Sequence, residues 1–298
     1  SEQTLEQYQR KFKVTSESGT TEAVYTITVI KSELPTEYHF ENIEDGNNKF
    51  HIFYEFNQQE AKMLQWASGN PGFQLTGMAK SPLDYPTIQD QGYIGKGVKL
   101  ETKSTGSFGT GVGMPIAAGN LFIGTFEVGN ALKDAMKATK FGFPFFKHPT
   151  RLTGYFKFQP GTEYTSGIDK SKNPPIPAID HSMNGKDKGD IYAILYEAEN
   201  VEFFLDGYNS LSSSTIISLA RISPDKMVKT SDWTFFDLEF IPQNNKTIND
   251  DDLAAGKYKL AVVFSSSIEG AAFKGSVGST LWIDEVKIHC EEDEENNE

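Results

Sequence analysis

The sequence predicts an all-β protein, a two-sheet antiparallel β-sandwich or jelly roll preceded by a partial immunoglobulin-like hairpin. Three observations predict it. Apolar and polar residues alternate over short runs, as in Arg151–Phe158, where Leu152, Phe156 and Phe158 share one face and Thr153, Tyr155 and Lys157 the other. Turn chemistry separates the runs: the chain has 26 Gly and 13 Pro, with 12% aromatic residues, which fits short strands better than a helix bundle. The connections are short, as antiparallel strands in two packed sheets require. At 298 residues the core is large enough to fold without disulfide or metal.

Residues 1–36 read as a fragment. Phe12–Val14 and Tyr25–Ile30 are strand-like, with a turn at Ser16–Gly19. Such a hairpin is marginal alone, so it is expected to be the end of a truncated immunoglobulin-like module of roughly 100 residues, with the natural chain beginning upstream. Ser32–Pro35 is a linker. Residues 37–290 form the jelly roll, and 291–298 (EEDEENNE) form an acidic tail expected to be disordered.

Within 37–290, Trp66–Gly72 and Leu83–Gly97 are turn-rich loops carrying aromatics. Val98–Thr102 is a strand. Asn120–Val128 is another, with Asn120, Phe122, Gly124 and Phe126 on one face. Ala131–Thr139 is a short helical candidate, and Gly142–Pro149 a Pro- and Phe-rich loop. Gly161–Gly189 is a polar surface excursion. Asp190–Tyr196 is apolar on both faces, as in a central strand. Thr215–Ile222 and Trp233–Ile241 are strands, separated by a polar loop, Asn244–Asp252, from the closing pair. There Tyr258, Leu260, Val262 and Phe264 alternate, and a small-residue segment follows. Leu281 and Ile283 then share a face, but Val286 and Ile288 run one residue out of step. That slip marks a β-bulge at Asp284–Glu285, read as two carboxylates near a sheet edge.

A net charge of −13 argues against nucleic acid, whose phosphates would be repelled, and against anionic membrane surfaces. The single cysteine, Cys290, excludes a disulfide framework and a cysteine-based zinc site. The five histidines lack ligand spacing. No run of 18 apolar residues spans a membrane. There is no G-x-S-x-G elbow, and GTGVG at Gly109–Gly113 lacks the lysine of a phosphate loop and reads as a turn.

Three chemistries stay open. A glycoside hydrolase needs two carboxylates about 5–9 Å apart, for which Asp190 and Glu239 are the candidates beside Glu197, Glu202 and Asp206. Sugar binding needs aromatic faces flanked by amides or hydroxyls. Trp66 with Asn70 in the first loop, Tyr85 in the next, and Asn120 and Tyr155 on a sheet face fit that need. Trp233 and Trp282 are assigned to the core. A structural calcium needs oxygen ligands; Glu41, in a segment that also carries Glu44 and Asp45, would share it with Asp284.

Several segments occur in a telling order: WASGN (from Trp66), YPT (Tyr85–Thr87), IAAGNLFIGTF (Ile116–Phe126), ATKFGFPF (Ala138–Phe145), LTGYFKFQPG (Leu152–Gly161), DIYAILY (Asp190–Tyr196), and the closing SSS and GSTLWIDEV. Over roughly Glu37–Ile288 the chain thereby resembles the putative carbohydrate metabolism domain of Bacteroidetes. The resemblance implies a jelly roll like that of carbohydrate-binding modules, often behind an immunoglobulin-like module, in an exported or lipid-anchored protein. It carries over no catalytic residues. The expected function is that of a secreted or cell-surface protein, a lipoprotein with its leader upstream, that binds a glycan in polysaccharide utilisation without chemistry of its own. A glycoside hydrolase is the alternative. A structural or adhesin-like component with outer-membrane protein partners is the third reading.

Overall fold

The computed structural model describes residues 7–30, 33–44, 49–57 and 60–291. Asp45 and residues 292–298, on which two of the expectations fall, lie outside them. The chain divides into two units, Ser1–Leu34 and Pro35–Glu298. The first contains an antiparallel hairpin in which Gln7–Thr15 pairs with Glu22–Ile30. Gly19, at φ +71°, turns the chain, and its amide donates to the Ser16 carbonyl.

The second unit holds two six-stranded antiparallel sheets. In chain order their strands are β1 (Glu37–Tyr38), β2 (Thr87–Gln91), β3 (Lys96–Glu101), β4 (Asn120–Phe122), β5 (Phe143–Pro144), β6 (Pro149–Gln159), β7 (Asp190–Glu197), β8 (Ile216–Arg221), β9 (Thr234–Glu239), β10 (Ile241–Pro242), β11 (Tyr258–Ser265) and β12 (Thr280–Cys290). The first sheet runs β9-β6-β12-β3-β2, with β1 also paired to β12. The second runs β4-β11-β7-β8-β10, with β5 also on β11. Leu152, Phe156 and Phe158 of β6 and Leu281 and Ile283 of β12 are buried on the first sheet. On the second, Ile191, Ala193 and Leu195 of β7 and Leu260, Val262 and Phe264 of β11 are equally buried. The intervening residues of the second sheet, Tyr192, Ile194, Tyr196, Ala261 and Val263, form another buried cluster with Phe122, Phe141 and Leu205. Covering both faces explains why β7 reads as apolar on both faces, and why Ala261 and Val263, between the alternating residues of β11, are apolar as well.

The small-residue segment after β11 closes the sandwich through a buried carboxylate. Asp187 accepts from the Ser267 and Ser279 hydroxyls and the Ser276 amide, each at 2.7 Å. Thr102 hydrogen-bonds to Ser266 and Ser267 at 2.7 and 2.6 Å. Burial pushes the Asp187 carboxyl up against these donors, and the donors are what permit a charge there.

Several expectations change: the loops Leu83–Gly97 and Gly142–Pro149 contain strands β2 and β5. Asn120–Val128 is two strands: β4 pairs with β11, whereas Gly124–Phe126 pairs with Thr139–Phe141. Gly124 makes the break at φ +149°, where a Cβ would lie 2.0 Å from the Lys140 carbonyl oxygen. Ala131–Thr139 holds the 3₁₀ turn Ala135–Lys137 rather than an α-helix. The excursion Gly161–Gly189 contains strands Tyr164–Asp169 and Ile176–Ile179. The bulge is where the slip in pattern places it, with Thr153 opposite Lys287 and Tyr155 opposite Asp284, but β12 is the centre of its sheet, not an edge.

Candidate functional site

Three of the five residues expected to touch sugar are structural. Trp66 is 2% exposed; its ring packs 5.1 Å from Tyr38, 5.3 Å from Phe40 and 6.0 Å from Phe264. Its indole N–H donates to Glu55. Asn70 is buried and locks two loops together, donating to the Thr87 carbonyl at 2.7 Å and accepting from the Thr87 amide at 3.1 Å. Tyr85 is buried between Phe50 and Phe73. A loop rich in Gly, Ser and Pro has the same composition whether its aromatic points outward or inward, which is why these faces read as available.

The other two lie on different sheets. Asn120, on β4, lines a cavity of about 360 Å³ against the second sheet. Its side chain accepts from the Gly69 amide at 2.8 Å and donates to the Ala118 carbonyl at 3.2 Å. The walls are mainly apolar, with Phe73, Phe108, Phe122, Phe126 and Phe141 among them. Asp190 also lines it, as the one carboxylate among the lining residues. Arg221 grips Asp190 bidentately, Nε to Oδ1 at 3.0 Å and Nη2 to Oδ2 at 2.7 Å. Burial pushes the Asp190 carboxyl up by more than the guanidinium pulls it down. Glu239, the expected catalytic partner, is exposed on β9 of the other sheet, opposite Arg151. The two carboxylates proposed as a pair therefore do not share a cleft.

Tyr155 sits on the outer face of the first sheet, within a row of aromatics that reach solvent. Its ring stacks on Tyr93 with centroids 3.8 Å apart and planes at 12°. Phe235, opposite it on β9, lies 5.3 Å away. Trp233 meets Tyr93 edge-on at 6.4 Å. One step along the strands, Lys157 of β6 faces Trp282 of β12, which faces Lys99 of β3. The Lys157 ammonium lies 4.7 Å from the Trp233 ring centroid and 5.2 Å from that of Trp282. Trp282 donates its indole N–H to Asp90 at 3.1 Å. Tyr93 is 46% and Phe235 55% exposed. Trp233 and Trp282, assigned to the core from their apolar neighbours, are thus partly exposed on this face. The available signal was strand parity: in β12, Trp282 alternates with buried Leu281 and Ile283. Beyond Tyr155 the face continues as a shallow depression of about 580 Å³ lined by Glu37, His39, Arg151, Asp237, Lys287 and His289.

The two expected metal ligands fasten the turn that carries Tyr93. Asp284 Oδ2 accepts from the Ile94 amide at 2.9 Å and Glu41 Oε1 from the Lys96 amide at 3.0 Å. Gly92 is required beneath it, since a Cβ there would stand 2.6 Å from Asp284 Oδ2 and from the Lys96 backbone. Burial pushes the Asp284 carboxyl up to about 6, opposed by the turn amides. Its Oδ1 is buried without a hydrogen-bond partner. Calcium takes six to eight oxygens, and no group of three or more His, Cys, Asp or Glu placed to hold a metal occurs among the described residues.

Residues 39–289 match the family described as the putative carbohydrate metabolism domain. The chain belongs to that family. Two crystal structures share its fold. A putative glycoside hydrolase from Bacteroides thetaiotaomicron VPI-5482 superposes with a TM-score of 0.79 at 43% identity, over 96% of this chain and 79% of that one. A putative glycoside hydrolase from Bacteroides vulgatus ATCC 8482 gives 0.77 at 38% identity, over 88% of this chain and 100% of that one. No curated protein matches. The family membership makes this a carbohydrate-related β-sandwich, and no helix among the described residues is long and apolar enough to cross a membrane.

Proposed function

We propose that the protein binds a glycan chain on the outer face of the β9-β6-β12-β3-β2 sheet, serving polysaccharide utilisation without catalysis of its own. The observation that carries this reading is the set of five partly exposed rings, Tyr93, Tyr155, Trp233, Phe235 and Trp282, on one sheet face. Pyranose rings present apolar C–H faces that stack on such rings, while Lys157 stands within the row to meet hydroxyls. The cavity on the other sheet is a poorer sugar site. Its walls are mainly apolar and its amide and carboxylate, Asn120 and Asp190, already have partners, and a sugar hydroxyl buried there unpaired would cost about 1–3 kcal/mol.

The reading extends to an exported or lipid-anchored protein at the cell surface or in the periplasm, where outer-membrane partners would deliver or receive the glycan. The test is a glycan array followed by titration calorimetry. Tyr155→Ala and Trp282→Ala should each weaken binding by about tenfold or more, and Asn120→Ala should leave it unchanged. Unchanged affinity in both aromatic variants, with the fold retained, refutes the site.

One observation favours hydrolysis as a second reading: Asp190 is a buried carboxyl, raised by its surroundings, on the wall of a cavity. Reducing-sugar release that vanishes in Asp190→Asn would establish it.

A further inference from the structure

We propose that the Trp233–Lys157–Trp282 row selects a carboxylate-bearing sugar, a uronic acid residue within the bound polysaccharide; this rests on the glycan-binding reading above. The argument starts from the charges on the sheet face. Lys99 pairs with Glu101 at 3.0 Å, Lys287 with Glu37 at 2.8 Å, and Arg151 with Asp237 through Nε at 2.7 Å. Lys157 has no ion-pair or hydrogen-bond partner among the described residues, in a chain whose net charge is −13. Its ammonium is held instead over two indoles, at 4.7 and 5.2 Å.

That placement is suited to an anion. The indoles satisfy the cation electrostatically from the ring faces but accept none of its three N–H donors in conventional hydrogen bonds. A neutral sugar can offer hydroxyl oxygens to those donors. A uronate offers a carboxylate, whose charge-assisted hydrogen bonds are roughly twice as strong as neutral ones, and the apolar rings on either side shield the pair from water. The ring of the same sugar supplies the C–H surface that Trp282 and Trp233 can stack on. Small anions lack that surface, so the row should take a uronate carried on a chain rather than free inorganic anions.

The experiment uses the full chain with pairs of oligosaccharides that differ only in charge: oligogalacturonates and oligoglucuronates, each beside the same oligomer with its carboxylates reduced to alcohols. Calorimetry should show at least one acidic oligomer binding about tenfold or more tighter than its reduced partner. Lys157→Gln should erase the preference to within about twofold while the protein melts normally, and Trp282→Ala should weaken acidic and reduced oligomers alike. Equal affinity for the two members of every pair, or a preference that survives Lys157→Gln, overturns the charge inference and leaves glycan binding standing. If no oligosaccharide of either kind binds the folded protein, on these pairs or on the array, both readings fall.

Discussion

Glu55 tests the packing around Trp66 through pH. It is 4% exposed, and its carboxylate accepts from the His39 amide, the Phe40 amide and the Trp66 indole, each at 3.3 Å. Three long bonds compensate burial incompletely, and the carboxyl is pushed from 4.5 up to about 7, chiefly by desolvation. An acid raised on folding binds more protons in the native than in the unfolded state between those two values, so stability falls as pH rises through that window. A rise from 4.5 to about 7 corresponds to about 3 kcal/mol: wholly present below pH 4.5, lost above pH 7. Glu55→Gln removes the titration. Urea unfolding of both proteins from pH 4.5 to 8 should therefore show the wild type losing about 3 kcal/mol relative to the variant. Other titrating groups cancel in the difference. A difference between the two proteins that stays constant with pH refutes the account of Glu55 as a desolvated acid.

The remaining predictions concern other parts of the fold. Arg221→Ala leaves Asp190 buried without its guanidinium and should cost about 3 kcal/mol or more at pH 7, read as a lower urea midpoint; Asp190→Asn in the same background should recover part of the loss. Gly92→Ala drives a Cβ into Asp284 and the Lys96 backbone and should destabilise by about 2 kcal/mol or more, with weaker glycan binding because the Tyr93 turn moves. Glu41 and Asp284 each accept a turn amide, so the melting temperature should be the same in EDTA and in excess calcium. A rise of several degrees in calcium would instead place an ion between them.

Much of the fold was legible because strand parity is a local property. Alternation in β6 and β9, the two-sided apolarity of β7, and the slipped register in β12 each follow from residues two apart on one strand. The short pieces were not legible. Gly124 ends one strand and begins another, and only the Lys140 carbonyl across the gap makes that necessary. Which side chains reach the outer face was legible where strand parity was followed, as for Tyr155, and missed where it was not, as for Trp282, or where a loop sets the direction. Trp66, Asn70 and Tyr85 turn inward because of residues distant in sequence: Phe264 for Trp66, Thr87 for Asn70, Phe50 and Phe73 for Tyr85. Tyr93 was missed for the same reason, since it joins Tyr155 only through a turn anchored on β12.

The two sheets treat their outer faces in opposite ways. On the second, loops cover Tyr192, Tyr196 and Phe122 in a continuous buried cluster. On the first, Tyr93, Tyr155, Trp233, Phe235 and Trp282 remain partly open. Folding gains nothing from leaving them so, since apolar surface kept in water forgoes about 25 cal/mol per Å². The anchoring is also specific: two carboxylates, one wholly buried and pushed up to about 6, are committed to a turn whose outward product is a tyrosine stacked on another tyrosine. A turn needed only to connect β2 to β3 could be closed by its own backbone. Holding Tyr93 over Tyr155 at a desolvation cost makes sense if the stacked pair is the working surface, and that is the strongest reason to look for the ligand on this face.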